Sequence, residues 1–255
     1  MTTRTGTYII LKSAREIATM RTAGQIVART LALLREHIRP GVSTGHLDAL
    51  AEEAVRKEKA IPSFKGYHNF PASLCLSVNE EIVHGIPGKR VLNDGDIISI
   101  DLGVIYQGYQ GDSAITVGVG DISPAAARLL ADTEEALYRG IEQARTGRRL
   151  GDISYAVQRY SQEKGYGLVR EYVGHGIGRA MHEDPQVPNH GQPGKGPILR
   201  AGMTLAIEPM FNIGGDDTES LSDGWTVVTK DRSLSAHFEH TVAIGNDGPD
   251  ILTKL

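Results

Sequence analysis

At 255 residues the chain sits near the upper limit for one hydrophobic core, and no Pro-, Ser- or charge-rich linker divides it, so one domain over 1–255 is expected. Its 27 Lys and Arg against 31 Asp and Glu leave a net charge of −4 with both signs interspersed, which excludes a nucleic-acid-tracking basic stripe and a polybasic membrane anchor. The single cysteine, Cys75, excludes an internal disulfide framework and a thiolate zinc cluster, and suits a reducing, cytoplasmic setting.

Near the start, Tyr8 to Leu11 is the first apolar run, too short for a signal peptide or a bilayer span. Ser13 and Glu16 form a capping box ahead of Ile17, Met20, Gly24, Val27, Leu31 and Leu34 at helical spacing, a pattern that Arg39-Pro40-Gly41 stops. A second helix is predicted over Thr44 to Lys59, then strands over Ser73 to Val78, Ile97 to Ile105 and Tyr109 to Val119. The order then restarts. Ser123-Pro124 opens a helix to about Ala144, and Asp152 to Lys164 forms another, stopped by Gly165. Strands are predicted at Leu168 to Val173, Met203 to Glu208, Trp225 to Lys230 and Ala236 to Ile244.

Two helices followed by strands, twice over, indicate an internal duplication. Gly41 and Gly147 are 106 apart, as are Leu47 and Ile153. LNDGDIISID, Leu92 to Asp101, matches LRAGMTLAIE, Leu199 to Glu208, at an offset of 107, so each half ends an equivalent strand on a carboxylate.

The hairpin ISIDLGVIYQGYQGDSAITV places Asp101 and Asp112 among β-branched residues. With a two-residue turn at Gln107-Gly108, Tyr106 opposes Tyr109, Gly103 opposes Asp112 and Asp101 opposes Ala114. The apolar faces of the two strands then coincide, which a one-residue slip would destroy. Both aspartates fall on the other face as diagonal neighbours about 7–8 Å apart at Cα, close enough to grip two metal ions about 3.5–4 Å apart. Glu208 ends MTLAIE, Glu239 sits in HFEHTVAI, and His175 lies in GHGIG, where glycines would let backbone and ligand approach closely. Oxygen ligands with one imidazole suit manganese, iron or cobalt, with zinc also accommodated. Four carboxylates and two divalent ions balance in charge, leaving room for a bridging hydroxide.

This set, in this order, resembles the metal-binding residues of type I methionine aminopeptidases, with NEEIVHGIP, GHGIGRAMHEDP, IEPM and DGWTVVTKDRSLSAHFEHT as the supporting motifs. The resemblance covers nearly the whole chain. It implies an α+β pita-bread fold, a curved antiparallel sheet backed by helices with internal two-fold symmetry. It further implies that Asp101 chelates one of two divalent ions, that Asp112 and Glu239 bridge them, and that His175 and Glu208 complete the other. Glu208 would handle the proton of the bound water, and the substrate's free amine would bind the first metal. His84 and His182 would donate hydrogen bonds to the substrate backbone and scissile carbonyl. The methionine pocket would comprise Tyr67, Phe70, Cys75 and Trp225, with Phe64 nearby; for Cys75 a plain packing role in SLCLSV stays open. Phe64, Phe70 and Met181 depart from residues that some members carry there. His37, His46, His68 and His190 lack motif context and are read as structural.

Other readings weigh less. Gly41-Val42-Ser43-Thr44-Gly45 matches the serine-hydrolase elbow but follows a helix, not a strand. His182-Glu183 begins a zincin motif, yet Gln186 replaces its second histidine. GHGIG lacks the dinucleotide spacing. A proline-specific aminopeptidase or dipeptidase of the same fold is expected to carry an extra N-terminal domain, whereas about a dozen residues precede the first helix here. The type II enzymes carry a helical insertion for which Gly165 to Glu208 leaves little room. A non-catalytic pita-bread binding protein would not need the full ligand set. The resemblance thus implies a cytoplasmic monomer acting on nascent chains, in transient association with ribosomes, when the second residue is small. Met1-Thr2 is itself such a start, so intact mass in the native host is expected to begin at Thr2.

Overall fold

The computed structural model describes residues 8–255, and the Met1-Thr2 junction lies outside them. The capping box is present: Ser13 Oγ accepts from the Glu16 N–H while the Glu16 carboxylate accepts from the Ser13 N–H at 2.8 Å, starting α1 (Ala14–His37). Ser43 Oγ caps α2 (Thr44–Lys57) by accepting from the His46 N–H at 3.2 Å. The first half continues with β1 (Ile61–Pro62), β2 (Cys75–Val78), β3 (Glu81–Val83), β4 (Ile97–Tyr106) and β5 (Tyr109–Gly118). The second half repeats two helices, α3 (Pro124–Gln143), capped by Ser123, and α4 (Leu150–Lys164). It adds β6 (Gly167–Leu168), β7 (Gly174–Gly176), β8 (Glu183–Val187), β9 (Thr204–Ile207) and β10 (Met210–Asn212). The chain closes with β11 (Thr218–Ser220), β12 (Val227–Thr229), β13 (Ser235–His237), β14 (His240–Ile244) and β15 (Pro249–Ile251). Among the described residues, no helix is long and apolar enough to cross a membrane.

Every strand pairing is antiparallel, and the hairpin register is the one expected, with Tyr106 facing Tyr109, Gly103 facing Asp112 and Asp101 facing Ala114. Strand β4 carries β5 along one edge and β1 and β2 in turn along the other. The second half builds the order β15-β14-β9-β7-β8. Two three-stranded sheets complete the scaffold. Three strand expectations change. The run from Leu168 to Val173 pairs only over Gly167–Leu168 before exposed Arg170 and Glu171 leave the sheet, and Trp225 and Thr226 precede the short β12. The run Ala236 to Ile244 is two strands. Between them Glu239 turns its backbone groups away from β14's partners and exchanges N–H···O bonds with Ala114 of β5, at 2.9 and 3.3 Å. Helix α4 also begins two residues early, because the Asp152 carboxylate accepts from the Arg149 N–H at 2.9 Å and so closes the first turn.

The duplication extends to individual hydrogen bonds. Gly41 N–H donates to Leu92 O at 2.8 Å and Gly147 N–H to Leu199 O at 2.9 Å; Leu92 N–H returns to Val42 O and Leu199 N–H to Arg148 O, both at 2.8 Å. Gly95 N–H reaches Val119 O, and Gly202 N–H reaches Ile244 O, both at 2.9 Å. The four glycines share φ values from 89 to 91°, in the left-handed region that a side chain resists. Val119 and Ile244 are 125 apart, and so are Ala114 and Glu239, the pair that exchanges backbone bonds across the joint. The joint therefore lies on the pseudo-two-fold axis.

Helices α1 and α2 cover the first sheet with Val27, Leu31, Leu34, Leu47 and Val55 over Ile98, Ile100, Leu102 and Val104. Helices α3 and α4 cover the second with Leu129, Leu137, Ile153 and Val157 over Leu205, Ile207 and Val242. Ile115 packs against both clusters. Each covering layer shields the back of strands whose other face carries the carboxylates. The fit of α1 is close: a Cβ on Gly111 would lie 2.6 Å from the Gly24 amide nitrogen. Gly111→Ala is expected to push α1 off β5 and destabilise the fold by about 1–3 kcal/mol. A melting temperature equal to the parent's would contradict this packing.

Candidate metal centre and pocket

The two halves deliver carboxylates to one place. Asp101 leaves the middle of β4, Asp112 leaves β5, Glu208 follows β9, and Glu239 sits at the joint before β14. His175 comes from β7, whose Ala206 neighbour on β9 lies two residues before Glu208. One ligand atom each from Asp112, His175 and Glu239 lies within 4.8 Å of the others. His175 Nε2 is 3.6 Å from Glu208 Oε1. The His175 Nδ1–H donates to the Gly176 carbonyl at 2.9 Å, which fixes the tautomer and leaves Nε2 with a free lone pair toward the carboxylates.

Asp101 Oδ1, Asp112 Oδ1 and Glu239 Oε1 are buried with no hydrogen-bond partner among the described residues. Buried carboxylate oxygens without a partner are costly unless a cation meets them. Burial, then the charges of Asp112 and Glu208, pushes the Asp101 carboxyl well above its usual range. Burial raises Asp112 to about 7 despite a hydrogen bond from the Ser113 N–H. Burial followed by Asp112 raises Glu208, and burial followed by Asp112, Glu208 and Asp101 raises Glu239, both well above the carboxylate range. The surrounding imidazoles are held neutral. Burial and then His182 lower His175 and His84 to about 4, and burial and then His84 lower His237 to about 3. Oxygen-rich, imidazole-containing and sulfur-free, the donor set fits a divalent ion of the manganese-to-zinc range.

The carboxylates form one end of a cavity of about 270 Å³. Its other walls are Phe64, Tyr67, His68, Phe70, Cys75, His84, Met181, His182 and Trp225, so every residue singled out from the sequence lines the same space. Phe70 and Trp225 meet edge to face with centroids 5.0 Å apart, and Cys75 joins Phe70 and Ala72 in one buried cluster. Burial, then Asp101 and the other acids, raises the Cys75 thiol well above its usual value, which keeps it protonated and unreactive. The His182 ring lies tilted at 57° to His175, with 4.3 Å between centroids, and meets the Tyr67 hydroxyl through Nδ1 at 2.7 Å.

Two expectations are corrected. His68, read as structural, lines the cavity, because the Gly66 turn directs the whole Tyr67–Phe70 segment over the mouth. The glycines around His175 serve the sheet, not a ligand: a Cβ on Gly174 would lie 2.3 Å from Ala206 O, and one on Gly176 would lie 2.2 Å from Asp184 O. Sequence reasoning also passed over His237. It is 2 % exposed, its Nε2 has no hydrogen-bond partner among the described residues, and it lies 3.9 Å from Glu208 Oε2. The signal was in the repeat, since His237 stands 125 residues after Asp112. Thr241 Oγ1 accepts from the Asp112 N–H and donates to its carbonyl, while Thr116 Oγ1 does both for His237, again at an offset of 125.

A carboxyl with a raised pKa keeps a proton that the unfolded chain has released, so it stabilises the fold at low pH and loses that effect as pH rises through its folded value. The buried histidines act in the opposite sense, but only below their ordinary value of 6.5. Chelated protein is therefore expected to lose melting temperature as pH rises above the ordinary histidine value of 6.5, where only the carboxyls still contribute, and manganese is expected to abolish that loss. A level profile in chelator, or one that manganese leaves unchanged, would refute the ligand set.

The sequence model of metallopeptidase family M24 matches residues 18–246. Methionine aminopeptidase 1 of Bacillus subtilis is 56 % identical over 247 residues, covering 97 % of this chain and 100 % of the relative. The crystal structure of methionine aminopeptidase from Thermotoga maritima superposes with a TM-score of 0.96 at 45 % identity, covering 97 % of this chain and 100 % of the other. The Xaa-Pro dipeptidase of Bacillus anthracis shares the architecture more distantly, with a TM-score of 0.77, 25 % identity and 62 % of its length covered. The chain belongs to metallopeptidase family M24, alongside the methionine aminopeptidases of that family.

Proposed function

We propose that the chain removes the N-terminal methionine of polypeptides whose second residue is small, using two divalent ions held by Asp101, Asp112, His175, Glu208 and Glu239. The observation that carries this reading is the junction within one cavity of orphaned carboxylate oxygens and an apolar, aromatic- and sulfur-lined pocket. When bound, the ions supply acidified water and polarise the scissile carbonyl. Phe70, Cys75 and Trp225, with Tyr67 and Phe64, receive the thioether side chain by area burial and S–aromatic contact. The cavity closes on the carboxylates, so a chain end carrying a free amine is the part of a peptide that fits. Glu208, between His175 and His237, takes up the water proton and returns it to the leaving amine. With the Tyr67 hydroxyl donating to Nδ1, the His182 Nε2–H is available to the carbonyl oxygen where charge grows, and His84, which lines the same cavity, donates to the substrate backbone.

The whole of 1–255 acts as a single domain in this reading, its two cores meeting at Ile115. The enzyme works in the cytoplasm as a monomer, in transient contact with ribosomes, on nascent chains. Cobalt, manganese, iron and zinc are all compatible with the ligands.

The test is release of free methionine from Met-Ala-Ser, with Ala-Pro as the competing substrate, in each of the four metals. Cleavage of Met-Ala-Ser is expected, with Asp112→Ala losing more than about 100-fold, beyond what displacement of an outer hydrogen-bond partner costs. Preference for Ala-Pro would assign the chain to the proline-specific branch, and no release in any metal would favour a binding protein. Near-parent turnover in Asp112→Ala would mean that the ligands are elsewhere.

A further inference from the structure

We propose that a buried ion pair between Lys12 and Glu183, outside the metal centre, positions His182 for the reaction. The inference rests on the aminopeptidase reading for the role of His182, and on geometry for the rest. His182 ends the connection between β7 and β8 and is itself exposed, so burial does not set its position. The connection is held from beneath. Glu183 Oε1 accepts from the Arg179 N–H at 2.9 Å and the Ala180 N–H at 3.2 Å, while Oε2 receives Lys12 Nζ at 2.6 Å. The two side chains are 4 % and 8 % exposed, although Arg179 and Ala180 are both exposed.

Lys12 is fixed in turn. Its N–H donates to Gly202 O at 2.7 Å, its ammonium also reaches Ile10 O at 3.2 Å, and the next residue, Ser13, caps α1. Gly178 makes room for the pair: a Cβ there would lie 2.5 Å from both Glu183 Oε1 and Lys12 Cε. A charge-assisted contact out of water is short and directional, and it locks the carboxylate that gathers the two amides. The turn therefore presents Met181 to the pocket and His182 to the cavity mouth as one rigid unit, with the segment before α1 as its base. Lys12 and Glu183 touch no substrate and act through His182; they are positioning residues.

The test compares the parent, Lys12→Met, Lys12→Arg and Lys12→Met combined with Glu183→Met, each with and without His182→Ala. The double methionine variant matters because removing both charges leaves no unpaired ion in the interior, so it keeps the fold where a single removal can unfold it. On Met-Ala-Ser, kcat is expected to fall about 10–100-fold in the Lys12→Met and double variants, the size of a roughly 1 Å misplacement. KM and calorimetric manganese affinity should stay within about twofold, with Lys12→Arg recovering most of the rate. In the His182→Ala background the same changes should cost less than about twofold more, because their route to the reaction is gone. Amide exchange at Arg179 and Ala180 should quicken at least about tenfold in the double variant while β4 and β5 amides hold. Equal losses in both backgrounds, or unchanged kcat in a folded double variant, would overturn the inference. Should the parent release no methionine, the aminopeptidase reading fails instead; unaltered exchange at Arg179 and Ala180 would still refute the positioning.

Discussion

Asp101, Asp112, Glu208 and Glu239 all turn into one buried cavity, and the cost of keeping four carboxylates out of water is the constraint that the surrounding structure meets. Isolated ions in such a medium would take protons or drive the strands apart. The scaffold resists separation in two ways. Closely packed helices cover the backs of the strands, to the point where Gly111 meets Gly24 with no space for a methyl group. The strands themselves are pinned at the joint by paired backbone bonds between Ala114 and Glu239. What remains is a focus of negative charge whose natural complement is divalent metal. The neutral imidazoles around it neither compete for the carboxylates nor repel a cation.

Chemistry arises where the two-fold repeat is broken. Asp101, in the middle of β4, and Glu208, just after β9, occupy equivalent positions of the repeat and remain alike, one acid per half. Asp112 and His237 share the same threonine bracket, yet one is a carboxylate and the other an imidazole facing Glu208. Ala114 and Glu239 face each other across the axis, a methyl group against an acid. Two acids at that point would add a fifth charge to the cavity, so the small partner is what allows Glu239 to reach inward. His175 comes only from the second half. The duplicated frame thus supplies rigidity and placement, and its asymmetric positions set how many acids and imidazoles face the cavity.

Much of this was legible along the chain because local rules governed it. The Ser13–Glu16 capping box, the Pro124 and Gly165 boundaries and the Tyr106–Tyr109 register depend on residues within a few positions of one another. Strands of three residues, such as β3, β7 and β10, carry too little alternation to be seen, since neighbours and not propensity hold them in place. The break after His237 was hidden for the same reason: nothing in HFEHT announces that Glu239 will leave its strand to bond Ala114.

From the sequence alone came the helices, the hairpin register, the repeat and the residue types able to ligate a divalent ion, because periodicity, capping and chemical type are written residue by residue. Only the tertiary structure decided that those ligands converge on one cavity, that His68 and His237 belong beside it, and that Lys12 reaches Glu183 under the His182 turn. Convergence is a property of strands from both halves meeting across an axis, and no local pattern encodes the distance between them.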